Sequence, residues 1–314
     1  MKEDKIIDFC KFPIMLAPIA GYSDLPFRKL CRKYGSDYAF TEMVSANAIF
    51  YGNKKTDILL KSDDEEKKSG ISVQLFGSDA DRLSWACEYL EGLNRFTGID
   101  LNMGCSVKKV LKTGSGCFLM KDTENVENIF KRMREKIKGL FSCKMRLGYY
   151  STQRNFLEIA KIAENCGLDF ITLHPRLREQ KFSGSLDYKA LETLAKNVSI
   201  PVIGNGDITD ADSLKRMKDC GVSGVMIARG SFGNPFIFKK LKDYKYTVKP
   251  EEFKQVFKEH GLKILEFYGP SEGIKIMRKT LLQYLKSLPG ARHIRMEIAT
   301  LKDRENFFKI CEKL

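Results

Sequence analysis

No two cysteines of this chain form a C-x-x-C pair. The nine stand singly, at Cys10, Cys31, Cys87, Cys105, Cys117, Cys143, Cys166, Cys220 and Cys311, and their number is odd. That spacing suggests neither a disulfide framework nor a zinc site, so no metal is expected, and a reducing cytoplasm is the expected compartment. Histidine is scarce, with three copies, and tryptophan occurs once. No apolar run approaches the length that spans a bilayer. The opening residues Lys2, Glu3, Asp4 and Lys5 offer no apolar signal-peptide core. Low-complexity segments are absent as well.

What is present is an ordinary soluble balance, 43% hydrophobic and 30% charged, over 314 residues. That length suits one large domain, or one domain with a small appendage. Lysine and arginine outnumber acids 54 to 40, a net charge of +14. Such an excess points to an acidic partner, most often nucleic acid; a Lys-rich solvated surface is the bland alternative.

Short apolar runs recur, each followed by a segment of helical spacing. The runs are Ile14–Ala17, Tyr38–Val44, Ile71–Phe76, Gly98–Asn102, Phe141–Arg146, Asp169–His174, Pro201–Asn205 and Gly224–Arg229. Between them, Phe156, Ile159, Ala160, Ile162 and Ala163 make an apolar helix face closed by Cys166-Gly167, and Leu214 and Met217 precede Cys220-Gly221. Strands alternating with helices imply a parallel sheet, and eight repeats fit a (β/α)8 barrel better than an open doubly wound sheet. The charge run Lys61–Lys68 is expected to be a solvated loop.

The pattern changes near Tyr244. Residues 245–314 carry 15 Lys plus Arg and 9 Asp plus Glu, a net of +6, and no β-like run. Val256, Phe257, His260, Leu262, Ile264, Leu265 and Phe267 form one helical face. Ile274, Met277, Leu281, Leu282, Leu285 and Leu288 form another, stopped by Pro289-Gly290, and a third helix is expected from Arg292 to Cys311. The division predicted is a barrel over residues 1–244 and a small all-helical domain over 245–314.

In a barrel the chemistry sits at the C-terminal strand ends. The first run ends in Ala17-Pro18-Ile19-Ala20-Gly21, small or non-donating residues that let a flat ligand approach, or else a tight turn. Gln74, in the third run, pairs a donor with an acceptor and suits an imide edge. The fifth carries Lys144 and Arg146, of which at most one is expected to face the barrel centre, where a lysine needs an anionic partner. The sixth ends in His174-Pro175-Arg176. Gly204-Asn205-Gly206-Asp207 and Ala228-Arg229-Gly230 end the seventh and eighth, Gly-rich backbone leading into helices, which is how barrels cradle phosphate.

A phosphate cradle, an internal lysine and an imide-reading Gln suit FMN, with Lys144 near the flavin's electron-rich edge. The fourth run, Ile99-Asp100-Leu101-Asn102, leads through Met103-Gly104 to Cys105, with Gly114-Ser115-Gly116 beyond. A lone thiol is ordinarily a small buried hydrophobe. Here its place at a strand end makes it a proton donor facing the substrate across the flavin.

With these motifs the chain resembles the tRNA-dihydrouridine synthases, from about Ile14 to its end. The matching pieces are MLAPIAGYSDLPFR at Met15–Arg28, TEMVSA at Thr41–Ala46, VQLFGSD at Val73–Asp79 and DLNMGCSVKKVLKTGSG at Asp100–Gly116. They continue with CKMRLG at Cys143–Gly148, HPRLREQKFSG at His174–Gly184, GNGDI at Gly204–Ile208 and MIARGSFGNPFIF at Met226–Phe238. The tail segment Met277–Arg295 resembles the bacterial B-type branch. The resemblance implies FMN in a barrel, reduced by NADPH (or NADH), that passes hydride to C6 of a tRNA uridine while a cysteine protonates C5. Cys105 matches that proton donor. Ala17, Pro18, Ile19, Gln74, Lys144, His174, Asn205, Gly206, Asp207, Ala228 and Arg229 match the FMN contacts, and Asn102 and Arg178, with Arg176 as companion, match residues that hold the uracil. A cytoplasmic monomer is expected, with no membrane and no protein partner.

The target base must leave its stack, and a basic helical tail can grip the tRNA backbone to offset that cost. Lys275, Arg278, Lys279, Lys286, Arg292 and Arg295 are the candidates. The chain departs from the family at Ser106, where proline is usual, at Ile19 for Met, at Ala228 for Gly, and at Leu177 and Phe182 for Thr and Tyr. A small-molecule FMN oxidoreductase of the dihydroorotate or ene-reductase type, and a non-catalytic RNA-binding barrel, are the competing readings.

Overall fold

The computed structural model describes residues 6–286 and 288–314. The charged opening, residues 1–5, lies outside the described residues. Eight parallel strands close into a barrel in chain order: β1 (Ile14–Leu16), β2 (Ala39–Ser45), β3 (Ile71–Phe76), β4 (Gly98–Met103), β5 (Leu140–Met145), β6 (Phe170–Leu173), β7 (Val202–Asn205) and β8 (Gly224–Ile227). The seam pairs Met15 of β1 with Met226 of β8. A (β/α)8 barrel was expected, and this is one. Each strand end differs from the apolar run that announced it by at most two residues.

Side-chain alternation explains the barrel's two faces. On β4, Ile99, Leu101 and Met103 point outward into the main core, while Asp100 and Asn102 point inward. On β5, Phe141, Cys143 and Met145 point out. The lower barrel interior is filled by Met15, Phe40, Phe170, Ile203 and Met226, closed from below by Ile7 and Tyr38. The barrel is therefore packed at its base and polar only at its mouth.

The helices of the barrel are α1 (Leu25–Lys33), α2 (Ala46–Phe50), α3 (Asp64–Ser69), α4 (Ala80–Leu93), α5 (Lys108–Leu111), α6 (Thr123–Arg134), α7 (Phe156–Asn165), α8 (Tyr188–Asn197), α9 (Ala211–Asp219) and α10 (Ile237–Lys242). Aspartate side chains start many of them: Asp24, Asp79, Asp122, Asp187 and Asp210 each accept the N–H three residues on. Among the described residues no helix is long and apolar enough to cross a membrane.

The charge run at Lys61–Lys68 corrects the loop expected there. Asp63 caps α3, and Glu66 is buried against Arg28 in a two-pronged ion pair, both bonds 2.8 Å long. Arg28 further donates to the carbonyls of Ser23 and Lys61. A carboxylate amid charged neighbours thus holds the β2–β3 connection to α1.

The tail is helical; its first two helices part where expected, between the two predicted faces, and the third divides in two. The first two helical faces lie on one run, α11 (Pro250–Tyr284), broken where Gly269 takes φ 75° ahead of Pro270. The third divides into α12 (Arg292–Ala299) and α13 (Arg304–Glu312), the latter capped by Asp303. Phe257, Met277, Leu281, Tyr284, Ile298 and Phe307 form a second hydrophobic cluster, which takes in Leu30 of α1, Tyr34 just after it and Phe236 beside α10. The tail's core is therefore partly made of barrel residues.

Candidate active site

The C-terminal strand ends surround a cavity of about 670 Å³. Its lining brings together Ala17, Pro18 and Ile19, Gln74, Asn102, Cys105, Lys144, His174, Asn205, Gly206 and Asp207, and Ala228 and Arg229. Residues spread over more than 200 positions meet because each stands at or just beyond the end of a strand.

Cys105 is half-buried. Burial raises its thiol above the ordinary range, while the Val107 N–H, Arg146 and Lys144 pull it part of the way back. At neutral pH it therefore holds its proton, the state required of an acid. Its backbone N–H donates to Asn102 Oδ1 at 3.0 Å, and Asn102 Nδ2 donates to Gln74 Oε1 at 2.7 Å.

Lys144 and Arg146 both line the cavity, which corrects the expectation that at most one faces inward. Residues two apart share a side of a strand. Burial, reinforced by the neighbouring Arg146 charge, lowers Lys144 to about 8, and the buried Asp100 carboxylate opposes that shift. Asp100, on the adjoining strand, is the carboxylate whose charge acts on the lysine from a distance, without forming an ion pair with it. Arg146 is a brace: its Nε donates to Gly104 O at 2.9 Å, and Nη1 and Nη2 donate to Leu177 O and Lys181 O at 2.9 and 2.7 Å.

His174 Nδ1 pairs with Asn205 O at 2.9 Å, and Asn205 Nδ2 donates to Met226 O at 2.7 Å. Burial, with Lys144 and Arg146 nearby, holds the imidazole well below its ordinary pKa, so it is neutral. Its Nε2 is buried with no protein partner, as is Thr172 Oγ1 two residues earlier on β6. Buried polar atoms of this kind call for a ligand. Gly206 has φ +141°, and a Cβ there would come within 2.8 Å of Leu186 and 3.0 Å of His174 Nδ1. The backbone N–H groups of Gly206, Asp207 and Arg229 find no acceptor among the described residues. The Asn205 carbonyl only accepts, so the His174 proton sits on Nδ1 and Nε2 keeps a lone pair for a donor. The bare backbone N–H groups of Gly206, Asp207 and Arg229, with cations nearby, make this end fit for an anion.

Arg176 and Arg178 do not line the cavity. Arg176 bonds to Gly184 O at 3.1 Å and pairs with Asp207, which also pairs with Arg229. These bonds hold the Asp207 carboxyl below its ordinary range. Arg178 lies 4.4 Å from the centre of the Tyr149 ring and donates to Tyr149 O at 3.1 Å. Phe182 lies at the rim, its ring 5.6 Å from the Arg146 guanidinium and 5.1 Å from that of Arg229.

The sequence reading assigned no role to one wall. Tyr22 and Phe232 line the cavity and stack with ring centres 4.0 Å apart. From α11, Gln283 Nε2 donates to Tyr22 Oη at 3.1 Å and Lys279 Nζ donates to Gly21 O at 2.6 Å. Among the described residues no cluster of His, Cys, Asp and Glu is suited to a metal.

Barrel, mouth cavity and proton-holding thiol define an enzyme of the (β/α)8 class, with its chemistry at the C-terminal face. The chain belongs to the dihydrouridine synthase family, whose model matches residues 15–314. A tRNA-dihydrouridine synthase B from Pseudomonas syringae pv. tomato is 33% identical over 300 residues, 93% of this chain and 88% of that protein. One from Pasteurella multocida is 35% identical over 286 residues, 88% of this chain and 84% of that protein. A probable tRNA-dihydrouridine synthase from Rickettsia conorii is 33% identical over 300 residues, 92% of this chain and 89% of that protein.

Proposed function

We propose that this chain reduces the C5=C6 bond of uridines in tRNA to give dihydrouridine, with FMN held in the mouth cavity and NADPH as reductant. The observation that supports it best is the meeting of a proton-holding Cys105 with Lys144 and an anion-fit end at the Gly206, Asp207 and Arg229 backbone in one cavity. Family membership gives the reading its substrate class.

The residues present fit FMN. Ala17, Pro18 and Ile19 back a flat ring closely, and Gln74 and Lys144 serve its polar edge. His174, Asn205, Gly206, Asp207, Ala228 and Arg229 hold its phosphate end. FMN, when bound there and reduced by NADPH, would supply the hydride for C6. Cys105 delivers the proton to C5. Asn102 keeps one N–H for the uracil edge: its oxygen already accepts from both Gly104 and Cys105, and its other N–H is given to Gln74. Arg176 and Arg178 serve the base only by leaving Asp207 and Tyr149. Extruding the uridine costs a few kcal/mol, and basic groups on the tail, the RNA-gripping unit in this reading, offset it.

The test is dihydrouridine formation, followed by mass spectrometry, on unmodified tRNA with NADPH. The wild-type protein is expected to be yellow and active, and Cys105→Ala to keep its flavin and lose turnover. Wild-type rates from Cys105→Ala would remove the thiol from the mechanism. A flavoprotein that reduces small enones or orotate-like substrates but not tRNA would overturn the reading as a whole.

A further inference from the structure

Beneath the cavity floor lies a carboxylate that the reaction as described does not use. Asp100 is fully buried on β4, two residues below Asn102 and on the same inward face. Its Oδ1 accepts from Ser142 Oγ at 2.6 Å and its Oδ2 from Gln74 Nε2 at 2.7 Å. Gln74 Oε1 accepts from Asn102 Nδ2 at 2.7 Å. Asn102 Oδ1 accepts from the backbone N–H groups of Cys105 at 3.0 Å and Gly104 at 3.3 Å. The bonds form one directed chain from a buried charge to the loop that holds the thiol.

We propose that Asp100 is a positioning residue for Cys105: its carboxylate sets the direction of the two side-chain amides that hold the Cys105 loop. The proposal rests on the reading of Cys105 as the proton donor.

The reasoning is one of donors and acceptors. A carboxylate ion only accepts, whereas a primary amide has one accepting and one donating end of nearly equal size. Asp100 therefore obliges Gln74 to point its NH2 downward, which leaves the Gln74 oxygen for Asn102. Asn102 must give that oxygen its NH2, which leaves its own oxygen for the loop. Reading from the other end gives the same answer, because backbone N–H groups only donate. Both ends agree, so one orientation of the two amides satisfies every partner. The layer below is filled by apolar side chains, so packing alone does not call for a charge at this position. Burial raises the Asp100 carboxyl to about 6, and the bonds from Gln74 and Ser142 with the Lys144 charge hold it from rising further, so it is ionised at neutral pH.

Asp100→Asn removes the sign from one end of the chain. Only the loop N–H groups then oppose a joint turnover of both amides, in which the Asn102 NH2 meets the N–H groups of Gly104 and Cys105, donor facing donor. The double variant Asp100→Asn with Gln74→Glu moves the carboxylate up one step, from β4 to β3. The introduced amide on β4 then donates to one oxygen of that carboxylate, and the other oxygen accepts from Asn102, so the loop regains its acceptor.

The experiment is hydrogen–deuterium exchange at the Gly104 and Cys105 amides of the full-length protein, read without tRNA or turnover. Asp100→Asn is expected to exchange at least about tenfold faster than wild type, and its kcat on tRNA to fall while KM holds. The double variant is expected to exchange within about threefold of wild type, though inactive for want of Gln74. Ser142→Ala, which leaves the direction of the chain intact, is expected to exchange as wild type. Wild-type exchange in Asp100→Asn, or fast exchange in the double variant, would overturn the proposal. If Asp100→Asn does not fold, the double variant decides alone, and its failure to fold counts against the proposal. Failure of wild type to reduce tRNA would sink the functional reading without changing these exchange rates.

Discussion

The Lys279 ammonium lies 4.0 Å from the centre of the Tyr22 ring while donating to the carbonyl of Gly21. A residue of the tail thus holds a residue of the cavity wall, and Gln283 and the Tyr22–Phe232 stack extend the contact. Lys279→Met is expected to lose about 1–2 kcal/mol in a urea melt, the sum of an exposed cation–π contact and one hydrogen bond, and to raise KM for tRNA. A chain ending at Tyr244 is expected to lose FMN affinity along with tRNA activity. Full affinity in that truncation would show the cavity to be independent of the tail.

The Arg28–Glu66 pair gives a second prediction. Both side chains are buried, so Arg28→Met leaves an uncompensated carboxylate and is expected to cost about 3–5 kcal/mol. Adding Glu66→Leu is expected to restore most of that loss. Urea denaturation of the two variants decides it.

Lys144 gives a pH dependence. It is charged below about 8 and neutral above, and the charged form is the one that favours an electron-rich ring edge. FMN affinity is therefore expected to be flat from pH 6.5 to 7.5 and to weaken by up to about tenfold per pH unit beyond 8, by linkage. Lys144→Met should bind more weakly at pH 7 and show no decline between pH 8 and 9. Fluorescence titration across that range measures both.

The tail cations divide by what already holds them. Lys275 pairs with Glu272, Arg278 donates to Leu301 O at 2.7 Å, and Lys279 is held at Gly21. Lys286 and Arg292 are exposed. Lys286→Ala and Arg292→Ala are each expected to lower the slope of log affinity for tRNA against log salt by roughly 0.7–0.9, the signature of one lost phosphate contact. Arg278→Ala is expected to lower stability instead. Filter binding at several salt concentrations, with a melt of each variant, separates the two groups.

The barrel was legible because eight short apolar runs recur, each followed by a segment of helical spacing, a pattern that does not depend on what stands at the mouth. Strand-end residues were legible for the same reason, since position on a strand places Gln74, Lys144 and His174 at the mouth before any contact is known. What escaped was long-range. Glu66 looks solvated until Arg28, from 38 positions earlier, closes on it. Asp100 looks like part of an apolar strand until Gln74 and Ser142 are seen donating to it. Tyr22 and Phe232 lie more than 200 positions apart, and no local pattern announces their stack. The contact of Arg178 with Tyr149, 29 positions earlier, is likewise invisible in the sequence. The division of the last helix was readable in principle, because Asp303 is a fitting cap ahead of Arg304.

The break at Gly269–Pro270 gives the second half of the long tail helix its own starting point. From there to Lys279 and Gln283 the helix behaves as a rod of fixed phase, since each residue advances it by about 100°. One residue inserted in that stretch would swing both side chains a quarter-turn or more away from Gly21 and Tyr22, with no change in composition or helicity. The stretch is therefore expected to tolerate substitution on its exposed side and to reject changes in length.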